Sequence, residues 1–172
     1  KVLRDGLDAM KKKYGKVTTI GKQLGYNADD GSWSAFPDFY INFPGMYQKS
    51  LWDGIGMKPD TWDDLRVGGA KLKAKGHPVG ISLGHSNDPS TTWRGLLWSY
   101  GAAIQDEAGK KIVLSSKETV EATKFVAALY KEAMTSDVLS WNDSSNNQYI
   151  VSGVASYIVN PISAYRTAQK QN

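Results

Sequence analysis

Apolar positions along this chain alternate between stretches at helical spacing and short runs bounded by glycine. Leu3, Leu7 and Met10 recur three and four apart and Tyr14-Gly15 closes the pattern, so residues 3–14 are expected to be a helix. Val17–Ile20, rich in β-branched side chains, reads as a short strand within a loop-rich segment. Phe39 to Tyr47 is apolar and aromatic, but Pro44-Gly45 interrupts it and favours an extended, partly irregular crossing segment. A second helix begins after Pro59: Thr61 is a good N-cap, and Asp64 three residues on is placed to return the bond. Trp62, Leu65 and Leu72 share one face of it, Lys71, Lys73 and Lys75 suit the negative end of its dipole, and Gly76 ends it.

Pro78–Gly84 has the look of a short buried strand. A helix is expected from about Thr91 to Tyr100, stopped by Gly101. Asp106–Lys110 then forms a hairpin-type turn into a strand at Lys111–Leu114. Ser115 and Glu118 form a capping box ahead of an apolar stripe, Ala122, Phe125, Val126, Leu129 and Ala133, running to Met134. A short helix at Gln148–Ser152 and a strand at Val154–Val159 follow. Helices alternating with short strands argue an α/β fold.

Composition narrows the function classes. With 172 residues, 41% of them apolar and 22% charged, the chain is an ordinary globular sequence, long enough for one domain and part of another. Absence of cysteine removes disulfide scaffolds and thiolate zinc sites. The net charge of +4 is scattered, without a basic stripe carrying interleaved aromatics, so nucleic acid is not an expected partner. Lys11-Lys12-Lys13 sits where cations complement a helix end. No apolar run reaches the roughly 18 residues of a membrane span. The chain opens on Lys1 inside a helical pattern and stops abruptly at "AYRTAQKQN", which reads as an internal piece of a longer chain. The missing signal peptide therefore says nothing about location.

Six Trp, nine Tyr and four Phe exceed what a core of this size needs, and rigid rings in excess often form binding surfaces. The chemistry of catalysis is harder to find. His77 and His85 lie apart in loops with no joining cysteine or carboxylate cluster, so no metal is expected. "NADDGSW" lacks the alternating oxygens and closing glutamate of a calcium loop and reads as a turn. The pairs Asp63/Asp64 and Asp106/Glu107 are explained by a helix start and a turn, not by a glycosidase pair facing across a cleft. Ser86, Ser90 and His85 share a loop without a nucleophile elbow. What remains is a set of amide, carboxyl and indole groups in loops: Trp33 and Asp38, Asn87-Asp88 with Trp93, Trp141 with Asn146-Asn147, and Asn160 with Ser163. Loops at strand ends are where open α/β sheets bind ligands, and these groups suit a neutral polyhydroxylated molecule.

The order of segments resembles the family 1 extracellular solute-binding proteins of ABC transporters, relatives of the maltose-binding and other sugar-binding proteins. The resemblance runs from about residue 10 to the end. It rests on "AFPDFYINFPGMYQKSLWDGIGMKPDTWDDLRVGGAKLKAKGHPVGISLG", then "NDPSTTWRGLLWSYGA", "DEAGKKIVLSSKETVEATKFVAALYKEAM", "WNDSSNN" and "SGVASYIVNPISAY". It implies a periplasmic-binding-protein type II fold, two lobes closing on a solute by hinge bending. Residues 1–36 would be the end of the first lobe, and 37–172 the hinge crossing and most of the second. It also implies a sugar or oligosaccharide ligand, an ABC permease as partner, a monomer, a periplasmic or extracellular location, no catalysis and no cofactor. Trp62 and Leu65 would dock their helix on the second lobe's sheet. Ligand contacts would come from Asp38, Asn87, Asp88, Trp93, Asn147, Asn160 and Ser163. Ser163 stands where maltose-binding relatives have a stacking aromatic, and the aromatic expected near Ser90 is also missing. Both departures point away from an α-linked maltodextrin. A carbohydrate-active enzyme, or a binding protein for a non-sugar solute such as a polyamine, is the alternative reading.

Overall fold

The computed structural model describes residues 2–37 and 41–171. They fall into two compact units, Lys1–Asn42 and Phe43–Asn172.

The first unit holds α1 (Val2–Tyr14) and α2 (Thr19–Gly25). α1 is the expected helix, burying Leu7. The strand expected at Val17–Ile20 is instead the start of α2. The Thr18 hydroxyl accepts the Gly21 N–H at 3.2 Å, and this cap outweighs the modest strand preference of a β-branched run. "NADDGSW" is a turn, as expected. Asn27 and Asp30 accept the N–H groups of Asp29 and Ser32 at 3.0 and 2.8 Å, and Gly31 takes a left-handed φ of +71°. Trp33 lies against Tyr26, with ring centroids 5.3 Å apart.

The second unit runs β1 (Gly45–Tyr47), α3 (Lys49–Asp53), α4 (Trp62–Lys73), α5 (Asn87–Ser99), α6 (Lys117–Ala133), a 3-10 turn (Ser136–Leu139), α7 (Ser145–Val151), β2 (Tyr157–Val159) and α8 (Ser163–Gln171). β1 and β2 pair antiparallel, Gly45 opposite Val159 and Tyr47 opposite Tyr157. The capping box of α4 is present in full. Thr61 accepts the Asp64 N–H at 3.0 Å, and the Asp64 carboxylate accepts the Thr61 N–H at 3.2 Å. Leu65 and Leu72 are buried, whereas Trp62 turns to the last residue of α5 and the middle of α6. Its indole N–H donates to the Ser99 hydroxyl at 3.1 Å, and its ring meets Phe125 edge-on at 6.3 Å.

α5 begins at Asn87, four residues before the expected Thr91, and α7 at Ser145, three before Gln148, and three further expectations shift. Pro78–Gly84 is buried as foreseen but is not a regular strand among the described residues. Val79 forms one parallel bridge with Tyr157, while the N–H groups of Val79 and Leu83 donate to the carbonyls of Ala133 and Val138, at 2.8 and 2.9 Å. Its backbone bonds thus run to the end of α6 and the 3-10 turn on one side and, through the Gly80 N–H to the Tyr157 carbonyl at 2.8 Å, to β2 on the other. Lys111–Leu114 likewise forms only a bridge, Gln105 with Ile112, around the Asp106–Gly109 turn. The cap of α6 is Ser116, one residue later than expected, its hydroxyl accepting the Thr119 N–H at 3.2 Å. The apolar stripe of α6 is otherwise as read, with Ala122, Phe125, Leu129 and Ala133 buried.

The core gathers around Trp52, which is fully buried with its indole N–H donated to the Ser156 carbonyl at 3.0 Å. The two central glycines of α4 allow this packing. A methyl on Gly68 would lie 2.3 Å from the Trp52 ring, and one on Gly69 would lie 2.6 Å from Val79. Glycine's weak helix propensity is accepted there in exchange for close approach.

Candidate functional site

Four element ends of the second unit converge on one polar cluster: the first turns of α5 and α7, the residue after β2, and the start of α8. Asp88 is buried at the start of α5. Its carboxylate Oδ2 accepts from Asn146 Nδ2 at 2.7 Å. Asn146, 1% exposed, also donates to the Val159 carbonyl at 3.3 Å. Its Oδ1 accepts from Asn160 Nδ2 at 3.0 Å and from the Asn147 N–H at 2.8 Å. Asn160 Nδ2 donates as well to Asn147 Oδ1, and Asn147 Nδ2 reaches the Ser163 hydroxyl at 3.4 Å. Asn147 and Asn160 are buried too, and Ser163 is exposed at the rim.

The start of α5 is capped from a distance. Ser86, its N-cap residue, makes no side-chain cap bond. Asp143 from the loop before α7 supplies the acceptor, taking the Asp88 N–H at 3.2 Å. The Ser86 hydroxyl, then the N–H groups of Asp88 and Asn87, hold the Asp143 carboxyl below its ordinary value of 3.8. Asp88 goes the other way. Burial raises it, the Asn146 amide partly offsets this, and the charge of Asp143 adds to the rise. Two carboxyls of one network are thus shifted in opposite directions.

A prediction follows for pH. Above its ordinary value Asp88 loses its proton in the unfolded chain before it does so in the fold, so stability from this group falls as pH rises through that window. Asp143 contributes the reverse, stability present at neutral pH and lost as pH falls through its lowered value. Carboxyl-carbon NMR titration between about pH 7 and 2 is expected to give Asp88 the higher midpoint. An inverted order would contradict the burial and capping described.

The sequence-derived candidates divide cleanly. Asp88, Asn147, Asn160 and Ser163 belong to one hydrogen-bonded cluster, and Asn87 is exposed beside it at the first position of α5. Trp93 lies further along α5, half-buried against the core, its indole N–H donated to the Ser82 carbonyl at 3.0 Å. Asp38 lies outside the described residues. Trp141 is a core residue, edge-on to Tyr149 at 4.8 Å. Sequence reasoning placed Asn146 only among the candidate loop amides and gave no role to Asp143, the two residues that tie the cluster together. A run such as "NDSSNN" signals only polar loop chemistry, and nothing local pairs it with Asp88.

The tempting carboxylate pairs are structural. Asp64 completes the α4 capping box, and Asp106 accepts the N–H groups of Lys110 and Lys111 at 2.8 and 3.2 Å. Among the described residues no three or more His, Cys, Asp or Glu side chains gather as metal ligands. In the first unit a concavity of about 990 Å³ is lined by Met10, Tyr14, Val17, Ile20, Leu24 and Phe36, among others. Apolar walls of that kind do not offer the converging amides a polyhydroxylated solute needs.

Comparison with known proteins gives a consistent picture. A family profile described as "Bacterial extracellular solute-binding protein" matches residues 5–172. A Brucella abortus (strain 2308) chain described as a binding protein is 31% identical over 93 residues, 52% of this chain and 22% of its own. An Arthrobacter chlorophenolicus A6 sugar transporter with bound laminaribiose superposes with a TM-score of 0.79 at 18% identity, over 98% of this chain and 43% of its own. An Agrobacterium radiobacter K84 ABC transporter solute-binding protein in complex with ribitol gives 0.74 at 20% identity, over 94% and 42%. A maltose-bound T. maritima protein gives 0.69 at 22% identity, over 92% and 42%. These likenesses carry the periplasmic-binding-protein type II fold, α/β in class, with few strands in this portion. The chain spans less than half the length of each of these relatives.

Proposed function

Because the chain belongs to the bacterial extracellular solute-binding proteins, we propose that it is part of the substrate-binding component of an ABC importer. It takes a sugar or oligosaccharide in a cleft between two lobes, which close on it by hinge bending with no bond made or broken. The observation that carries this reading is the cluster of three asparagines, one serine and one buried carboxylate at the converging ends of α5, α7, β2 and α8. Amides and hydroxyls that both donate and accept match a ligand whose own groups are hydroxyls. The laminaribiose, ribitol and maltose held by structurally similar proteins support the same ligand class.

In this reading Asn87, Asp88, Asn147, Asn160 and Ser163, with Asp38 beyond the described residues, form the polar contacts, and Trp93 offers an apolar face. Residues 1–36 end the first lobe, and 37–172 carry the hinge crossing and most of the second. The protein works outside the cytoplasmic membrane as a monomer, with permease subunits as partner and without catalysis. No described helix is long and apolar enough to cross a membrane.

Tryptophan-fluorescence titration of the full-length protein with laminaribiose, maltose, tagatose, ribitol and one polyamine tests the proposal. A saturable response to one of the first four, without turnover, is the expected result. Response to the polyamine alone, or release of a cleaved sugar, would overturn it.

A further inference from the structure

We infer that Asn146, itself out of reach of solute, is a positioning residue that sets which way the neighbouring amides face, and hence the donor and acceptor pattern a solute meets. The inference deepens the proposed sugar site and rests on that reading. An asparagine side chain has two N–H donors and two acceptor lone pairs, and Asn146 uses all four. It donates to Asp88 Oδ2 and to the Val159 carbonyl, and accepts from Asn160 Nδ2 and the Asn147 N–H. With 1% of its surface exposed, it has nothing left to offer a ligand.

Its orientation is not arbitrary, because three of its four neighbours have fixed polarity. The ionised carboxylate of Asp88 and the Val159 carbonyl can only accept, and the backbone N–H of Asn147 can only donate. These force the Asn146 amide nitrogen towards Asp88 and its oxygen towards Asn160. The Asn160 nitrogen must then face inward, where it also meets Asn147 Oδ1. Asn147 is left with its nitrogen facing Ser163. One carboxylate, one backbone carbonyl and one backbone N–H thus fix a chain of three amides, each of which would be reversible on its own. The outcome is a donor from Asn147 and the two-way hydroxyl of Ser163 towards the rim, with the Asn160 oxygen, which the inner bonds do not use, buried behind them. A vicinal diol, with one hydroxyl donating and its neighbour accepting, complements that pattern.

The relay predicts a rescue. Asn146→Asp sets a second carboxylate against Asp88 and removes both donors. Laminaribiose, or whichever of the four sugar probes binds best, is expected to lose about tenfold or more in affinity. Adding Asp88→Asn lets residue 88 donate to the carboxylate at 146, which still accepts from Asn160 Nδ2 and the Asn147 N–H. The inward polarity of Asn160 is therefore kept, and the double variant is expected to recover part of the loss, the Val159 carbonyl still lacking its donor. Thermal melts of all three proteins run alongside. Recovery of stability without recovery of affinity, or a single variant that melts lower yet binds normally, would overturn the positioning role.

A ligand-free measurement keeps this apart from the sugar reading. In wild type, the Asn146 and Asn160 side-chain amide protons are expected to exchange with solvent slowly in nitrogen-15 spectra. Rapid exchange would overturn the relay whatever the protein binds, whereas slow exchange with no sugar response would leave the relay standing and remove the ligand class.

Discussion

Trp52→Ala is expected to lower the unfolding free energy of the full-length protein by about 3–5 kcal/mol, measured by urea or thermal unfolding. The ring is completely buried between β1, α4 and the segment leading into β2. It meets Tyr47 edge-on at 6.3 Å, lies over Gly68 and donates its N–H to the Ser156 carbonyl, so its removal costs apolar contact, a cavity and a hydrogen bond together. The cavity term is large here because the surrounding backbone is a helix and a paired strand, which collapse poorly. The partner residue makes the test specific. Gly68→Ala alone places a methyl 2.3 Å from the indole and is expected to cost about 1–3 kcal/mol, despite alanine's better helix propensity. In the Trp52→Ala background the same methyl has room, and its cost is expected to disappear or reverse. Additive losses would mean that the two sites are independent and that the glycine is not there for the ring.

The contrast between α4 and the polar cluster shows what a sequence can and cannot tell. α4 was legible because its start and stop are written locally: Thr61 and Asp64 are three residues apart, and the apolar face follows at helical spacing. α6 was legible for the same reason, to within one residue of its cap. Val17–Ile20 departs from its pattern because a β-branched run speaks for a strand, whereas the decisive bond, Thr18 to Gly21, needs only a short helix to follow. Pro78–Gly84 was read correctly as buried, but its backbone partners are the carbonyls of Ala133 and Val138, more than fifty positions away by sequence number. The cluster is the extreme case. Asp88 and Asn146 are 58 residues apart, and no propensity or period links them. The family resemblance pointed to Asp88, Asn147, Asn160 and Ser163 and passed over Asn146, which bonds to the first three of them.

Gly84→Ala is expected to cost about 2–4 kcal/mol in stability and to weaken sugar binding in the same protein. A Cβ at this position would lie 2.4 Å from the Trp141 carbonyl oxygen and 3.2 Å from the Trp141 nitrogen. Those obstacles are backbone, so no side-chain rotation relieves them, and the two segments must separate. The separation reaches the site directly. Gly84 precedes the Ser86 cap by two residues, and Trp141 precedes Asp143 by two. The bond between the Asp88 N–H and Asp143 is already 3.2 Å long, and a shift of about 0.5 Å takes it out of hydrogen-bonding range. The start of α5 then loses its acceptor, and Asp88 loses the fixed position from which the amide relay begins. Gly95→Ala on the same helix is the matching control. A methyl there meets nothing within 4 Å, so it is expected to gain about 0.5–1 kcal/mol and leave binding unchanged. Melting curves and fluorescence titrations of the two variants, with the Asp143 carboxyl resonance followed in each, decide the matter. An Asp143 midpoint that stays low in Gly84→Ala would mean the loops absorb the methyl, and the link from this close approach to the site would fail.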